Sequence, residues 1–184
     1  MKVFVYIFGQ PGSGKTTLMR EVCRRGALFY EADDPIKHRG YLAPGGKMFG
    51  VLGADSWPFG GTDTLSYTAV AGSPRWLKSL AKCGAGKTVF AEGDRLANLR
   101  FFAEVQKHYR LVAFQLHASD LTAEFRRRAR AKTHGLKPQS EVWVRGRATK
   151  SENLAMAYPG TVRLDASLGV ESLAESVWKA ALSE

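Results

Sequence analysis

The sequence predicts an α/β fold in which helices flank a central parallel sheet, and three observations support that prediction. Short apolar runs alternate with helical patterns along the chain, as they do in βαβ units. A glycine-rich loop follows the first apolar run directly. The chain has 184 residues, which suits one domain that buries about 70% of the surface of its unfolded form. We therefore expect a single domain over residues 1–184.

The strands are predicted from short runs of apolar and β-branched or aromatic residues. These runs lie at residues 2–8, 27–30, 87–91, 111–116 and 161–164. The Gly- and Pro-rich residues 38–61 contain one further short run, at 48–52. We expect an insertion into the domain over about residues 35–72.

The helices are predicted from apolar spacing and from residues that begin helices. They lie at residues 17–23, 74–81, 96–108, 119–130, 152–157 and 170–182. Pro74 suits the first turn of the helix at 74–81. Ser119 or Asp120 can cap the helix predicted at 119–130. The polar residues 132–140, which include a glycine and a proline, predict a mobile loop.

Cysteine content and hydrophobicity indicate where the protein is located. The two cysteines, Cys23 and Cys83, have no metal-binding spacing and predict reduced thiols in a cytosolic protein. No run reaches the ~18 apolar residues of a membrane span. The chain begins with a predicted strand rather than a signal peptide. We therefore expect a cytoplasmic protein.

Positive charge is unevenly distributed along the chain. The net charge is +10, and residues 93–150 carry thirteen Lys and Arg against five Asp and Glu. Residues 126–150 alone carry nine Lys and Arg against a single Glu141. This density predicts a catalytic arginine lid, a polyanionic substrate, or both.

Residues 9–16 match the phosphate-binding pattern G-x-x-x-x-G-K-[ST] at every fixed position. A predicted strand precedes them and a predicted helix follows, which is the context that this motif requires. Backbone N–H groups of such a loop point at phosphate oxygens beside a helix N-terminus. Lys15 is expected to reach the β- and γ-phosphates, and the Thr16 hydroxyl to ligate Mg²⁺. The candidate nucleotide-binding residues of this segment are Gly12, Ser13, Gly14, Lys15, Thr16 and Thr17.

Ligands of such sheets bind beyond the carboxyl ends of the strands. The glycine loop, the acids at residues 31–34 and 92–94, and the residues after 116 all follow predicted strands. We expect these segments to line one crevice.

The cations needed for phosphoryl transfer are predicted on a lid over about residues 126–150. Arg126 and Arg130 share a helix face, with Arg127 adjacent, and Arg145 and Arg147 lie beyond the predicted loop. Two basic edges around a loop suit a lid that closes over phosphates. We assign Arg126 to the nucleotide and Arg127 and Arg130 to catalysis. A solvated basic helix face is the alternative.

Carboxylates are candidates for the base that accepts the proton of a substrate hydroxyl. Asp33 and Asp34 end the predicted second strand, and Asp63 follows two glycines, where it could equally cap a helix. Glu92 and Asp94 follow a strand, where an acid can hold Mg²⁺ through water or contact the substrate. An ion pair between Asp94 and Arg95 is the structural alternative.

Aromatic residues are mixed with cations in and beside the predicted insertion. Such a mixture can stack a base and hold its phosphates. Each ring could equally belong to the core of the insertion. The aromatic residues are Trp57, Phe59, Tyr67 and Trp76, and the cations are Lys37, Arg39 and Lys47.

The chain resembles the P-loop kinases that act on nucleotides, nucleosides and polynucleotides, over most of its length. Residues 89–96 look like the third-strand motif of that group, and 114–130 are similar to its fourth strand and lid helix. Residues 161–167 look like its fifth strand and adenine loop. The resemblance implies a three-layer sandwich with an arginine-rich lid, ATP and Mg²⁺ as cofactors, and Asp33 or Asp34 as the base.

More narrowly, residues 59–66 and 143–150 look like segments of bacteriophage P-loop kinases implicated in thymidine hypermodification. That resemblance implies phosphorylation of 5-hydroxymethyluracil within DNA, in the host cytoplasm if the chain is phage-encoded. It makes residues 35–72 a substrate-binding insertion. The substrate-binding candidates are Arg39, Asp63, Glu92, Asp94, Arg95, Arg145 and Arg147.

Two other functions remain open on the sequence. A kinase for a free nucleoside or nucleotide explains the loop and the lid, but leaves much of the basic surface unused. An NTP-driven switch or ATPase subunit is disfavoured, because the chain has no Asn-Lys-x-Asp signature and no strand followed directly by Asp-Glu.

Overall fold

One seven-stranded sheet organises the protein in a computed structural model, which describes residues 1–56 and 59–182. The inner strands carry buried apolar runs, and all six residues of β1 are buried. The strands are β1 (Val3–Phe8), β2 (Ala27–Ala32), β3 (His38–Leu42), β4 (Met48–Leu52), β5 (Thr88–Glu92), β6 (Arg110–His117) and β7 (Thr161–Asp165).

The sheet order is β2-β3-β4-β5-β1-β6-β7. The five strands from β4 to β7 in this order are parallel, whereas β3 is antiparallel to both β2 and β4. Strand β1, which leads into the glycine loop, therefore lies between β5 and β6. The carboxyl ends of these three strands meet at one edge of the sheet.

Helices cover both faces of the sheet and complete three layers, which confirms the predicted fold class. On one face, α1 and α7 bury residues such as Leu18 and Trp178, and on the other, α3 and α4 bury residues such as Leu77 and Phe102. The helices are α1 (Lys15–Cys23), α2 (Tyr67–Ala71), α3 (Ser73–Leu80), α4 (Leu99–Gln106), α5 (Asp120–Thr133), α6 (Glu141–Ala157) and α7 (Val170–Leu182). Within the described ranges, none of the helices is both long and apolar enough to cross a membrane.

The sheet places the run at 48–52, and not the run at 27–30, in an inner position. Residues 27–30 do form a strand, but β2 is an exposed edge strand with a bulge near Phe29. Strand β4, from the Gly- and Pro-rich segment, takes the inner position beside β5. The apolar β4 can be buried, whereas Glu31 and the acids that follow it cannot. Much of the predicted insertion is therefore part of the sheet.

Helix α6 begins eleven residues earlier than the sequence suggests, at Glu141 rather than Glu152. Ser140 caps it by accepting a hydrogen bond from the backbone N–H of Trp143 at 3.3 Å. The single Gly146 inside the helix costs only about 1 kcal/mol relative to alanine. Arg145 and Arg147 therefore lie on a helix.

Candidate functional site

The glycine loop between β1 and α1 packs directly against helix α5. Gly12 and Gly14 have left-handed φ values of 87° and 102°, which favour glycine. A Cβ atom on Gly12 would overlap the carbonyl oxygen of Ala123 and lie 3.0 Å from Cγ of Arg127. The conformation of the loop and its contact with α5 therefore depend on the same glycine.

Lys15 and Thr16 begin α1 and face the loop from its helical end. The Lys15 ammonium donates hydrogen bonds to the carbonyl oxygens of Gly9 at 3.0 Å and Gln10 at 3.1 Å. Burial lowers the pKa of Lys15, and the negative charges of Glu92 and Asp63 oppose that shift. The ammonium thus lies inside the curl of the loop, against two of its backbone carbonyl groups.

Glu92 is a buried carboxyl at the end of β5, opposite Ile7 of β1. Its Oε1 accepts a hydrogen bond from the Thr16 hydroxyl at 3.0 Å. Burial raises the pKa of Glu92 to about 7, although Lys15 and the bond from Thr16 act in the opposite direction. The carboxyl therefore titrates near neutral pH.

The hydroxyl of Thr16 and the carboxyl of Glu92 fit a magnesium ion that also binds nucleotide phosphates. Mg²⁺ prefers oxygen ligands and usually keeps several waters beside one or two carboxylates. Among the described residues, no cluster of three His, Cys, Asp or Glu side chains could hold a metal by itself. A metal at this place would therefore depend on phosphate and water ligands as well.

Gly60 and Gly61 cross directly over the pair formed by Thr16 and Glu92. A Cβ on Gly60 would lie 3.1 Å from Cγ2 of Thr16, and one on Gly61 would lie 2.6 Å from Oε1 of Glu92. Gly61 also has a φ of 62°. Phe59, just before this segment, contacts the guanidinium of Arg130, 4.9 Å from the ring centroid.

Asp63 joins this segment to the loop after β5. Its Oδ1 accepts hydrogen bonds from the backbone N–H groups of Asp94 and Arg95, each at 3.0 Å. Ser66, and not Asp63, caps α2 by accepting from the N–H of Ala69 at 3.1 Å. The helix-capping alternative for Asp63 is therefore wrong, and its carboxylate is held against the loop after β5.

The arginines of α5 reach the glycine loop. Arg126 donates to the carbonyl oxygen of Ser13 at 3.0 Å and to that of Ala166, after β7, at 3.3 Å. Arg127 donates to the carbonyl oxygen of Pro11 at 2.8 Å. Burial lowers the pKa of Arg130, and the charge of Arg127 adds to that effect. Helix α5 is thus held against the loop by two arginines.

A cavity of about 540 Å³ lies beside the glycine loop. Residues 12–18 line one side of it, Arg126 and Arg130 a second, and Ala166 and Leu168 a third. Phosphate-binding groups and apolar residues after β7 therefore meet in one space. This arrangement suits a nucleoside triphosphate, with its base against the residues after β7.

A second cavity, of about 880 Å³, lies between α5, the loop after it and α6. Gln10 and Phe59 close the side near the glycine loop. Its cationic lining residues are Arg127, Arg128, Arg130, Lys132, Lys137 and Arg145, and its acidic ones are Asp120, Glu124 and Glu141. The excess of cations favours an anionic occupant.

Asp94 fastens α6 to the loop after β5. Its carboxylate pairs with Arg147 and, at 3.1 Å, with Lys150, whose ammonium also donates to the backbone oxygen of Asp94 at 2.7 Å. Arg95 instead donates to the carbonyl oxygen of Leu65. In place of the alternative ion pair between Asp94 and Arg95, Asp94 therefore contacts α6.

Asp33, Asp34 and Arg39 lie away from the glycine loop. Asp33 and Asp34 follow β2, four strand positions from β1 and therefore about 19 Å across the sheet. The Asp33 side chain is 84% exposed and lies 3.8 Å from Lys37. Arg39 is buried and donates to the carbonyl oxygen of Gly53 at 3.3 Å and to the Tyr41 hydroxyl at 2.8 Å.

The structure also separates the aromatic residues of the predicted insertion. Trp76 is a core residue whose indole N–H donates to the carbonyl oxygen of Ala69 at 2.6 Å. Phe59 and Tyr67 are exposed. Trp57 lies outside the described residues.

Sequence reasoning missed Asp55, which follows β4 and pairs with Arg20 of α1 at 2.8 Å and with Arg39 at 3.8 Å. The sequence contains a signal for Asp55, because an acid follows the apolar run at 48–52. Asp55 could have been identified as a candidate only by taking that run, and not 27–30, as the inner strand beside β5.

A mostly parallel sheet with this loop and these arginines is typical of P-loop nucleotide-binding kinases. The family model described as P-loop Nucleotide Kinase3 matches residues 1–173. The chain belongs to that family.

Solved structures with the same fold include a sugar kinase from Janibacter sp., determined without ligand. It is 16% identical, with a TM-score of 0.50 over 99% of this chain and 96% of that one. Deoxyadenosine kinase from M. mycoides is also similar. With bound dCTP it is 15% identical, with a TM-score of 0.47 over 96% of this chain and 97% of that one. With bound dATP it is 16% identical, with a TM-score of 0.46 over 98% of this chain and 100% of that one. No curated protein matches the sequence significantly.

Proposed function

We propose that this P-loop kinase transfers the γ-phosphate of ATP to a hydroxyl group on DNA, specifically the 5-hydroxymethyl group of 5-hydroxymethyluracil. The observation that carries the proposal is the cationic cavity between α5 and α6, which favours an acceptor that bears phosphates. The proposal assigns the donor to the smaller cavity and the phosphates of the acceptor to the larger one.

The donor half uses the glycine loop and the first residues of α1. Lys15 and the loop N–H groups hold the phosphates, and Arg126 lies between the loop and the residues after β7. Thr16 and Glu92 would hold magnesium, which supplies charge neutralisation at the phosphates when it is bound. Arg127 and Arg130 would stabilise the charge that spreads over the transferring phosphoryl group.

The acceptor half uses Asp63 as the base that accepts the proton of the hydroxyl. Two backbone N–H groups fix one oxygen of its carboxylate, so the orientation of the side chain is set before substrate binds. Asp63 also lies close enough to Lys15 and Glu92 to affect the pKa of both. We prefer it to Asp33 and Asp34 because β2 lies at the far edge of the sheet.

The polymeric acceptor is supported by positive charge in excess of what the donor requires. Residues 93–150 carry thirteen Lys and Arg against five Asp and Glu. This is more positive charge than one bound triphosphate requires. The exposed Arg145, together with Arg147 and Lys150 on the same helix, extends the basic surface beyond the donor. The proposal assigns these residues and Arg95 to DNA.

A free nucleoside monophosphate is the second candidate acceptor, and the size of the larger cavity favours it. A volume of about 880 Å³ lies within the range of small-molecule sites. Such an enzyme would need little affinity for DNA.

The deciding experiment supplies γ-labelled ATP with hydroxymethylated DNA, unmodified DNA, and free 5-hydroxymethyldeoxyuridine and its monophosphate in parallel. We expect label in the hydroxymethylated DNA. Label in free nucleosides or nucleotides alone would refute the polymeric acceptor. Release of labelled phosphate that depends on no acceptor would indicate an ATPase instead.

Variants of the two key residues accompany that experiment. Lys15→Ala should reduce transfer by roughly 10²- to 10³-fold, because it removes a charge that stabilises the transferring phosphoryl group. Asp63→Asn keeps an oxygen for the two N–H groups but cannot accept the proton, so kcat should fall while KM for ATP stays the same. An unchanged kcat would exclude Asp63 as the base.

A further inference from the structure

Three exposed aromatic rings each lie against an arginine. The guanidinium groups of Arg130, Arg95 and Arg147 lie 4.9, 4.5 and 5.4 Å from the ring centroids of Phe59, Tyr67 and Trp143, respectively. Phe59 and Trp143 are 42% exposed and Tyr67 is 80% exposed. We refer to these three pairs as the aromatic rim.

Contacts link the rim to residues of the candidate site, although its rings come from three separate segments of the chain. Arg147 pairs with Asp94, and the next residue, Arg95, is held through its N–H by Asp63. Phe59 precedes the glycines that cross over Thr16 and Glu92. Each pair is therefore one or two residues from a group placed in the site.

Packing does not account for the rim. Trp76, close to Tyr67 along the chain, is buried against Phe101, with ring centroids 5.8 Å apart. The exposed Tyr67 and Trp143 contribute little to such a core. Exposed rings that alternate with cations are what a surface for unpaired nucleic acid requires.

We propose that the aromatic rim binds an unpaired segment of DNA beside the nucleotide to be phosphorylated. The rings would stack bases, and Arg95, Arg147 and Lys150 would meet backbone phosphates. The faces of paired bases are hidden in a duplex, and Glu92 lies buried under Gly60 and Gly61. A target base must therefore leave its stack to reach the centre. This inference rests on the proposed function, because it assumes a DNA acceptor.

The test is fluorescence anisotropy without ATP, using a labelled DNA strand of about 15 nucleotides, the same strand in a duplex, and the RNA of the same sequence. The wild type should bind the single strand more tightly than the duplex or the RNA. Tyr67→Ala and Trp143→Ala should each weaken single-strand binding by about 5- to 150-fold. Tyr67→Phe, which keeps the ring, should bind like the wild type.

Phe29→Ala is the matched control, because Phe29 is also a half-exposed ring but lies on the edge strand β2. It should leave binding unchanged. Equal affinities of the Phe29, Tyr67 and Trp143 variants would overturn the inference, as would tighter binding of duplex or of RNA. Thermal denaturation of each variant verifies that it is folded.

The outcome is separable from that of the proposed function, because binding is measured without phosphoryl transfer. Ring-dependent binding of single strands together with transfer only to free nucleotides would support the rim and refute the acceptor. Transfer to DNA, with binding that does not depend on the rings, would support the DNA acceptor and refute the rim.

Discussion

Replacing Glu92 with glutamine should change how the stability of the protein depends on pH. Burial raises the pKa of the carboxyl from its ordinary 4.5 to about 7 in the folded protein. Between these two values the folded state holds a proton that the unfolded state has lost. The free energy of unfolding of the wild type therefore falls as the pH rises through this interval, and levels off above about pH 7.

The magnitude follows from the size of the shift. Between pH 5 and 8, this one carboxyl should remove about 2 to 3 kcal/mol from the stability of the wild type. The Glu92→Gln variant has no ionisable group at this position, so it gains that much relative to the wild type over the same interval. The amide oxygen of the introduced side chain can still accept the hydrogen bond from Thr16.

Urea denaturation of both proteins at pH 5, 6, 7 and 8 measures the effect, because the difference between the two curves removes the titration of every other group that the substitution leaves unchanged. The two proteins should differ least at pH 5 and most at pH 8. Parallel pH profiles would refute the reasoning, since they would mean that the carboxyl has the same pKa in the folded and unfolded protein.

The other predictions concern the contacts that hold α5 against the glycine loop and α6 against the loop after β5. Gly12→Ala should lower kcat/KM roughly 10²-fold, because its Cβ would push α5 off the glycine loop. Gly45→Ala is its control, with a left-handed φ of 82° but nothing within 4 Å; it should cost about 1–2 kcal/mol of stability and leave kcat/KM intact. Equal kinetics of the two variants would contradict this. Arg126→Lys should raise KM for ATP about tenfold in initial-rate assays, because an ammonium cannot span the two carbonyl oxygens that the guanidinium bridges; an unchanged KM would argue against that bridge. Asp94→Asn should speed amide hydrogen exchange in residues 141–150, because it weakens the contacts that hold α6. Exchange as slow as in the wild type would show that α6 is held by other contacts.

Some features of this protein were determined by short stretches of sequence. The glycine loop was predictable from residues 9–16 because its chemistry depends on adjacent backbone groups and on glycines that alone tolerate its φ values. The end of β5 was predictable for a similar reason, since a buried strand delivers its last residue, Glu92, to the edge of the sheet. The caps at Ser119 and Ser140 are local as well, although only the first was recognised.

Other features were decided by the tertiary structure alone. Residues 27–30 and 48–52 are both short strands, and only competition for the buried position beside β5 places the apolar β4 inside and the acidic β2 at the edge. That choice separates Asp33 and Asp34 from the glycine loop. Asp63 and Asp94 acquired their partners, the N–H groups after β5 and the cations of α6, across more than thirty and fifty residues. Contacts of such separation depend on how the layers pack, because no local pattern specifies which distant groups will meet.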